Sequence, residues 1–440
     1  MRPSGYGVHY LGGVCRRVQV KRSWIIVLLL EFVVLIEALA TGRRLFFSLT
    51  YLLAAVIIVS YFWSWANVNH IQVVRQTRSQ RSQVGEAAEE RFLVRNASML
   101  PKLWVEVHDH SDLPDHHASW VVNALGAHRT RGWAVRTVCR QRGRFTLGPL
   151  TLISSDPFGL FEHRKHFPAT SSIVVYPLTV DLPYFALPSG ELPGGGAMRR
   201  RTHYITTNVS GIRDYFPGDS FNRIHWPSTA RTGRLIVKEF ELDPTADVWL
   251  FLDMQGEVQS DRLWGKQVTE VPPLWPSRPI LVPSTEEYIV AIAASLAKHF
   301  LARSRAVGLI AYGQKHEVLA PDRGERQLTK VMETLAVIRA TGVIPIAQII
   351  AAEGKSLGRN TSAVIITPSD DIKWVDSLRD LRRRGVRGIG VVLDTLTFGR
   401  PTNTNAVLAA LSQSGIRAYR IREGDSLAAA LSHPGDELSS

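Results

Sequence analysis

Apolar positions along the chain follow three regimes. Residues 24–41 and 45–63 are nearly unbroken apolar runs. Residues 70–180 alternate apolar and polar in short stretches. Residues 247–431 switch between compact apolar runs and stretches of helical spacing. The run LFFSLTYLLAAVIIVSYFW at 45–63 has 19 residues and no charge. As a helix it reaches about 28 Å, close to the thickness of a bilayer core. Tyr61, Trp63 and Trp65 form an aromatic belt at one end. The run 24–41 is also long enough to span but carries Glu31 and Glu37 on different sides of its helix. An acid inside a span faces a partner helix or the interface. The connection TGRR is short, so residues 24–65 read as a transmembrane hairpin with both chain ends on one side.

In the second regime, RFLVRN (91–96), WAVRTVC (133–139), RGRFTLG (142–148), SSDPFGLF (154–161) and SSIVVYP (171–177) alternate between turn residues. Short strands at this spacing predict a small β-sandwich over 70–180. In the third, DVWLFLD (247–253), AVGLIAY, SAVIITP, VRGIGVVLD and IRAYRI read as strands. Helical segments separate them: 284–305, opened by Ser284 and Glu287 as a capping box, then 324–340, 373–385, 405–415 and 425–431. This alternation predicts an α/β, Rossmann-like domain over 247–431, its sheet mostly parallel and covered on both faces. Sites in such sheets lie at the carboxyl ends of strands, which here carry Asp253, Ser369, Asp370 and Asp394. Residues 181–246 are a linker and signature segment, and 1–23 and 432–440 are tails.

Charge changes the picture in one place. The net charge is +13, yet ten basic and only two acidic residues lie within residues 1–82. The excess therefore flanks the apolar spans and favours anionic lipid over nucleic acid. Basic residues before and after the hairpin outnumber Arg43 and Arg44 in its turn, which places both ends in the cytoplasm by the positive-inside rule. The expected location is the cell (inner or plasma) membrane. Cys15 and Cys139 form neither a disulfide framework nor a metal-type pair.

Candidate chemistry is sparse. HDHSDLPDHH brings together His108, His110, His116 and His117 with Asp109, Asp112 and Asp115, but without the spacing of a structural zinc site, and reads as a solvated loop. No phosphate-binding loop, zinc-protease helix, nucleophile elbow or dinucleotide fingerprint occurs. The densest stretch is GIRDYFPGDSFNRIHWPSTARTGRLIVKEFELD at 211–243. Arg213, Arg223 and Arg231 have Asp214, Asp219, Glu239 and Glu241 as potential bidentate partners, and Phe221, Ile224 and Trp226 are sized to anchor against a sheet. Three readings stand open: an internal clamp, a docking surface, or a hydrolase using His225 as base with Asp219 nearby.

These residues carry a resemblance. Arg213, Tyr215, Pro217, Gly218 and Asp219, then Arg223, His225 and Trp226, then Arg231 and Gly233, with Glu239 beyond, resemble the bacterial DUF58 family, as does GRFTLGPLTLISSDPFGLF at 143–161. The family tends to have Asp where His225 stands and Lys or Arg where Pro227 stands. The resemblance implies a multidomain membrane protein: a helical hairpin, a small β-sandwich, then a von Willebrand factor A-type α/β domain. It implies genomic neighbours of two kinds, MoxR-type AAA+ ATPases and transglutaminase-like membrane proteins. The expected role is an adaptor or scaffold in assembly or maturation of envelope or enzyme complexes, not an enzyme. A von Willebrand A domain commonly holds magnesium through DxSxS after its first strand. The corresponding residues are Asp253, Gln255 and Glu257, with Ser369 and Asp370 on a later loop. Both serines are replaced, so the expected magnesium site is degenerate.

Overall fold

The computed structural model describes residues 7–10, 16–20, 23–185, 209–216, 224–240, 247–261, 281–359 and 361–432. They divide into two units. The first takes in residues 1–180, 261–295 and 329–339; the second takes in 181–260, 296–328 and 340–440.

The first unit opens with two strands, β1 (Gly7–Tyr10) and β2 (Arg16–Val20), followed by α1 (Ser23–Thr41) and α2 (Arg44–Val68). Both helices are long and apolar enough to cross a membrane. Ile26, Leu29, Phe32, Leu52, Ile58 and Phe62 point outward and are exposed. Gly42 ends α1 with φ 64, the left-handed conformation that closes a helix and that side chains disfavour.

Ten strands follow: β3 (Ile71–Thr77), β4 (Arg81–Gln83), β5 (Ala87–Asn96), β6 (Lys102–Asp109), β7 (Trp120–Leu125), β8 (Thr130–Val138), β9 (Gly143–Leu147), β10 (Leu150–Ser155), β11 (Phe161–Phe167) and β12 (Ser171–Tyr176). They pair as β1-β3-β5-β8, β2-β11-β10-β6-β7 and β4-β12-β9. The first two sheets share a core. Ile71, Val73, Phe92 and Val94 come from one, and Val105, Val107, Leu150, Leu152 and Phe167 from the other. Burial alternates along β3 and β5, as period-two patterning requires.

The N-terminal residues, expected as a tail, thus add one strand to each sheet, β1 on β3 and β2 on β11. The end of α2 is tied to the same sheets. The buried Lys102 ammonium donates to the Ala66 carbonyl, a cation at a helix C-terminus. The Ser64 hydroxyl lies 2.9 Å from His163 Nδ1, and the Tyr61 ring meets Phe161 edge-on at 5.6 Å.

The second unit begins with a hairpin, β13 (Val209–Asp214) and β14 (Ile236–Phe240), holding α3 (Trp226–Thr232) between its strands. Then come β15 (Val248–Leu252), α4 (Thr285–Ala302), β16 (Val307–Tyr312), β17 (His316–Asp322), α5 (Gly324–Val337), α6 (Ile346–Glu353), β18 (Ser362–Thr367), α7 (Lys373–Arg383), β19 (Arg387–Leu393), α8 (Thr404–Gln413), β20 (Arg417–Ile421) and α9 (Leu427–Ser432). Helices α4 and α5 carry residues of both units.

The sheet order is β17-β16-β15-β18-β19-β20, parallel except for the edge hairpin β16–β17. The inner strands are buried on both faces, which accounts for their continuous apolar runs. Phe251, Ile310 and Ile365 pack with Ile349 and Ile350 of α6, Trp374 and Leu378 of α7, and Val407 and Leu411 of α8. Two elements escape sequence reading. β17 is an edge strand with no buried residue, and Pro321 within it is tolerated only at an edge. α6 reads as an undivided apolar run.

One buried cation organises the first unit. Arg142 sits in the β8–β9 turn with its side chain fully buried. Its Nε donates to the Leu335 carbonyl at 3.0 Å and its Nη2 to the Ile338 carbonyl at 2.7 Å, at the C-terminal end of α5. Its guanidinium also pairs with Glu286 and Glu287 in the first turn of α4. Arg339 reaches the same carboxylates at 3.3 and 3.5 Å. A cation at one helix C-terminus and two anions at another N-terminus both complement the helix dipoles. Glu287, expected in a capping box with Ser284, is engaged by these arginines.

Replacing Arg142 leaves two helix-end carbonyls and two half-buried carboxylates short of partners. Arg142→Ala is expected to cost about 2–4 kcal/mol. Arg78→Ala, which breaks an exposed pair with Glu89, costs below about 1 kcal/mol. Denaturant melts of the two variants in one detergent check the contrast.

Candidate functional site

The carboxyl ends of the parallel strands are the first place to look for chemistry. Asp253, just past β15, is completely buried. The Thr367 hydroxyl donates to its Oδ2 at 2.6 Å, and the Gln255 N–H donates to its Oδ1 at 3.2 Å. Thr367 Oγ1 in turn accepts the Ser369 N–H at 2.9 Å, and Ser369 Oγ accepts the Asp371 N–H at 3.3 Å. The Gln255 side-chain amide donates to Glu257 at 3.2 Å. Asp370 is exposed. Burial pushes the Asp253 carboxyl up from 3.8 to about 6, against the hydrogen bonds from Thr367 and Gln255.

The neighbouring strand-end acid, Asp394, is also buried. It accepts both Nε and Nη2 of Arg420 and the Thr404 hydroxyl. Loops close over these ends. The Gly342 N–H donates to the Met254 carbonyl at 2.9 Å, and the Gly256 N–H donates back to the Gly342 carbonyl at 2.9 Å. A Cβ on Gly342 would stand 2.0 Å from the Tyr312 carbonyl oxygen, so only glycine fits there. The Arg400 guanidinium donates to the Glu257 carbonyl, and the Ser260 hydroxyl to that of Phe398 at 2.8 Å.

Magnesium needs several hard oxygens in open octahedral array. Here the Asp253 oxygens, Thr367 Oγ1 and Ser369 Oγ are engaged in loop hydrogen bonds. Among the described residues no three His, Cys, Asp or Glu side chains converge on a cation position. The residues present do not fit a divalent cation.

The histidine-rich segment is not a solvated loop throughout. Asp109 and His116 have buried side chains and join Arg75 and Glu90. Arg75 Nη2 lies 2.6 Å from Glu90, and Arg75 Nη1 lies 3.3 Å from Asp109. His116 Nε2 lies 3.0 Å from Asp109 and 3.2 Å from Glu90, and its Nδ1 is 2.8 Å from Thr137 Oγ1. Burial alone would lower the His116 pKa. Hydrogen bonds and charge from Asp109 and Glu90 outweigh it and raise the value from 6.5 to about 8. Burial would raise both carboxyls, but His116 and Arg75 hold them below their ordinary range. The Arg75 cation occupies the place a metal ion would need. His108 and His110 lie outside this cluster. His108 pairs with Glu106 at 3.1 Å, and His110 Nε2 lies 3.0 Å from Thr151 Oγ1.

In the signature, structure explains several residues as local folding code. His225 is the N-cap of α3: its Nδ1 accepts the Ser228 N–H at 3.3 Å and lies 2.7 Å from Ser228 Oγ. Pro227 stands at the start of the helix, where a missing N–H costs nothing. Gly233 closes α3 with φ 69 and donates to Thr229. Ile224 and Val237 are buried. β13 carries a bulge between Val209 and Gly211.

Trp226, expected as an anchor, is 63% exposed, and Phe216 is 66% exposed. Tyr215 is half-buried, and Arg231 is exposed in the last turn of α3. Arg213 and Glu239 lie on the paired strands. Pro217, Gly218, Asp219, Phe221, Arg223 and Glu241 lie outside the described residues. The buried arginine clamp that is described belongs to Arg142, which no sequence signal marked.

Residues 211–267 match the family model described as "Protein of unknown function DUF58". Among curated proteins, "Uncharacterized protein YeaD" of Bacillus subtilis (strain 168) is 23% identical over 228 residues, covering 51% of this chain and 50% of that protein. The match to the DUF58 model lies on the signature segment, and the chain spans about half the length of this curated relative. Among solved structures, the CARDB domain of a Pyrococcus furiosus protein in complex with di-metal ions overlays at a TM-score of 0.19 with 15% identity, covering 24% of this chain and 91% of that one. A Listeria innocua beta-glucosidase in complex with glucose overlays at 0.17 with 12% identity, covering 24% of this chain and 16% of that one. At these scores neither overlay carries an argument.

Two pH windows test these assignments. The Asp253 carboxyl is raised in the folded chain, so stability falls as pH rises from about 4 to about 6 and stays lower above. Asp253→Asn removes that fall, and magnesium leaves the wild-type melting temperature unmoved. His116 is raised as well, but as a cation-forming base. Its contribution is complete below pH 6.5 and is lost as pH rises through about 8. His116→Gln is less stable below pH 6.5 and lacks the alkaline decline. Thermal melts across pH 4–9 read both.

Proposed function

We propose that this chain is a membrane-anchored scaffold that binds a MoxR-type AAA+ ATPase, with a transglutaminase-like membrane protein as a further partner. In this reading the β-rich unit is a β-sandwich, the α/β unit is a von Willebrand A-type domain without a working metal site, and both face the cytoplasm. The hairpin and its flanking charges support the anchor. The strands β2 and β3, on either side of the hairpin, both join the β-rich unit, which is consistent with both chain ends lying on one side.

The observation that carries the binding role is the tip of the signature hairpin. The Tyr215 N–H donates to the Leu235 carbonyl and the His225 N–H to that of Ile236. Their neighbours Phe216, Trp226 and Leu235 therefore gather at one end, all exposed, with exposed Arg231 and Arg234 beside them. Aromatic residues with arginine at their edge form the centres of protein interfaces. The buried strand-end acids, Asp253 and Asp394, are engaged by Thr367, the Gln255 N–H and Arg420.

The hydrolase reading has one observation of its own, the 2.7 Å approach of Ser228 Oγ to His225 Nδ1. That nitrogen already accepts the Ser228 N–H as a helix cap, which favours a structural role.

The test is a pull-down of detergent-extracted chain with and without ATP. Phe216→Ala with Trp226→Ala is expected to keep the melting temperature and lose copurifying ATPase by about tenfold or more. Retention of the ATPase by that variant removes the hairpin tip from the interface. Loss of function in His225→Ala with full ATPase binding and an unchanged melt favours the hydrolase.

A further inference from the structure

We infer that the β-rich unit rests on the membrane itself, through three turns at one end, two of which insert apolar tips into an anionic leaflet. The inference rests on α1 and α2 spanning that membrane.

The topology brings these turns to one end. β2 leads into α1, and β3 begins three residues after α2 ends. β5 runs antiparallel to β3, with Asn96 opposite Ile71, so the β5–β6 turn lies at the helix end. The Ala97 N–H donates to the His70 carbonyl. Lys102 pairs with Leu125 and Arg95 with Thr130, so the β7–β8 turn lies there too. β10 pairs Ile153 with Glu106, and Phe161 of β11 pairs with Val20. The β10–β11 turn therefore shares this end.

The tips are apolar. Met99 and Leu100 of the β5–β6 turn are 83% and 61% exposed, and Phe158 of the β10–β11 turn is 64% exposed. Phe161, just past that turn, touches Tyr61 of α2. Tyr61 lies seven residues before the end of α2, about 10 Å back along the helix. The turn thus reaches the level of the aromatic belt, where apolar and headgroup regions meet.

The charges agree. Arg95, Arg129 and Arg131 are exposed at this end. The acid of its turns, Asp156, is buried and accepts the N–H groups of Phe158 and Phe161. Exposed Glu86, Asp112 and Asp115 lie at the opposite end, near Cys139, Thr146 and Leu113. The opposite end also carries exposed Arg140, paired with Asp115, and Arg144, so what suits the first end to an anionic bilayer surface is its cations beside apolar tips, with the turn acid buried.

The experiment uses the full chain in vesicles of phosphatidylethanolamine and phosphatidylglycerol. Cys15 is replaced by serine, and the buried Cys139 is retained. Nitroxide labels are placed, one at a time, by Met99→Cys, Phe158→Cys, Val138→Cys and Leu52→Cys. The readout is the ratio of collisions with oxygen to collisions with a water-soluble nickel chelate. Ratios several-fold higher at positions 99 and 158 than at 138, and falling when Arg95, Arg129 and Arg131 become Glu, support the inference. A high ratio at 52 with positions 99 and 158 matching 138 overturns it while leaving the spans intact. A low ratio at 52 overturns the spans and the inference together.

Discussion

A charge taken out of water must find a partner of opposite sign or a row of dipoles, and this chain takes several charges inside. Arg142 meets the requirement with two helix-end carbonyls and the carboxylates of Glu286 and Glu287. Arg75 meets it with Glu90, Asp109 and the imidazole of His116. Asp394 meets it with Arg420. Among the described residues no cation pairs with Asp253; burial instead pushes its carboxyl up to about 6. Each cluster joins elements distant in sequence. The charges therefore fix which strands, turns and helix ends come together, as apolar packing alone does less selectively.

The same requirement bears on function. Catalytic acids and metal ligands keep some lone pairs open to substrate or ion. At the strand ends of the α/β sheet, Thr367, Gln255, Arg420 and Thr404 occupy those lone pairs, and Gly342 lets a loop pack within contact of Tyr312 and Met254. The exposed apolar surface lies elsewhere, in the aromatic tip at Phe216 and Trp226 and the turns at Met99 and Phe158. Both are suited to adhesion, one to a protein and the other to a bilayer.

Much of this was legible in the sequence wherever a period was long and clean. The two long apolar helices announced themselves by length, and the α/β unit by the alternation of buried runs with amphipathic segments such as α7, whose Trp374, Leu378 and Leu381 face inward. Short or mixed patterns hid the rest. β2 is a five-residue basic stretch, and its strand character comes from pairing with β11. HDHSDLPDHH looks wet by composition, yet Asp109 and His116 are drawn inside by Arg75, which lies 34 and 41 positions away in the chain. Arg142 is one arginine in a turn, and Glu286 is 144 residues downstream. The signature was visible as a motif, but its capping role for His225 and Gly233 required the backbone.

In the function proposed above, the chain works through the exposed signature tip and not through the closed strand ends. A photoreactive residue placed at Trp226, and separately at exposed Asp370, followed by illumination of intact membranes and mass spectrometry, asks this directly. A nucleotide-dependent adduct with an AAA+ ATPase is expected from position 226 and none from position 370. An adduct from 370 with none from 226 would contradict that function and return attention to the strand ends.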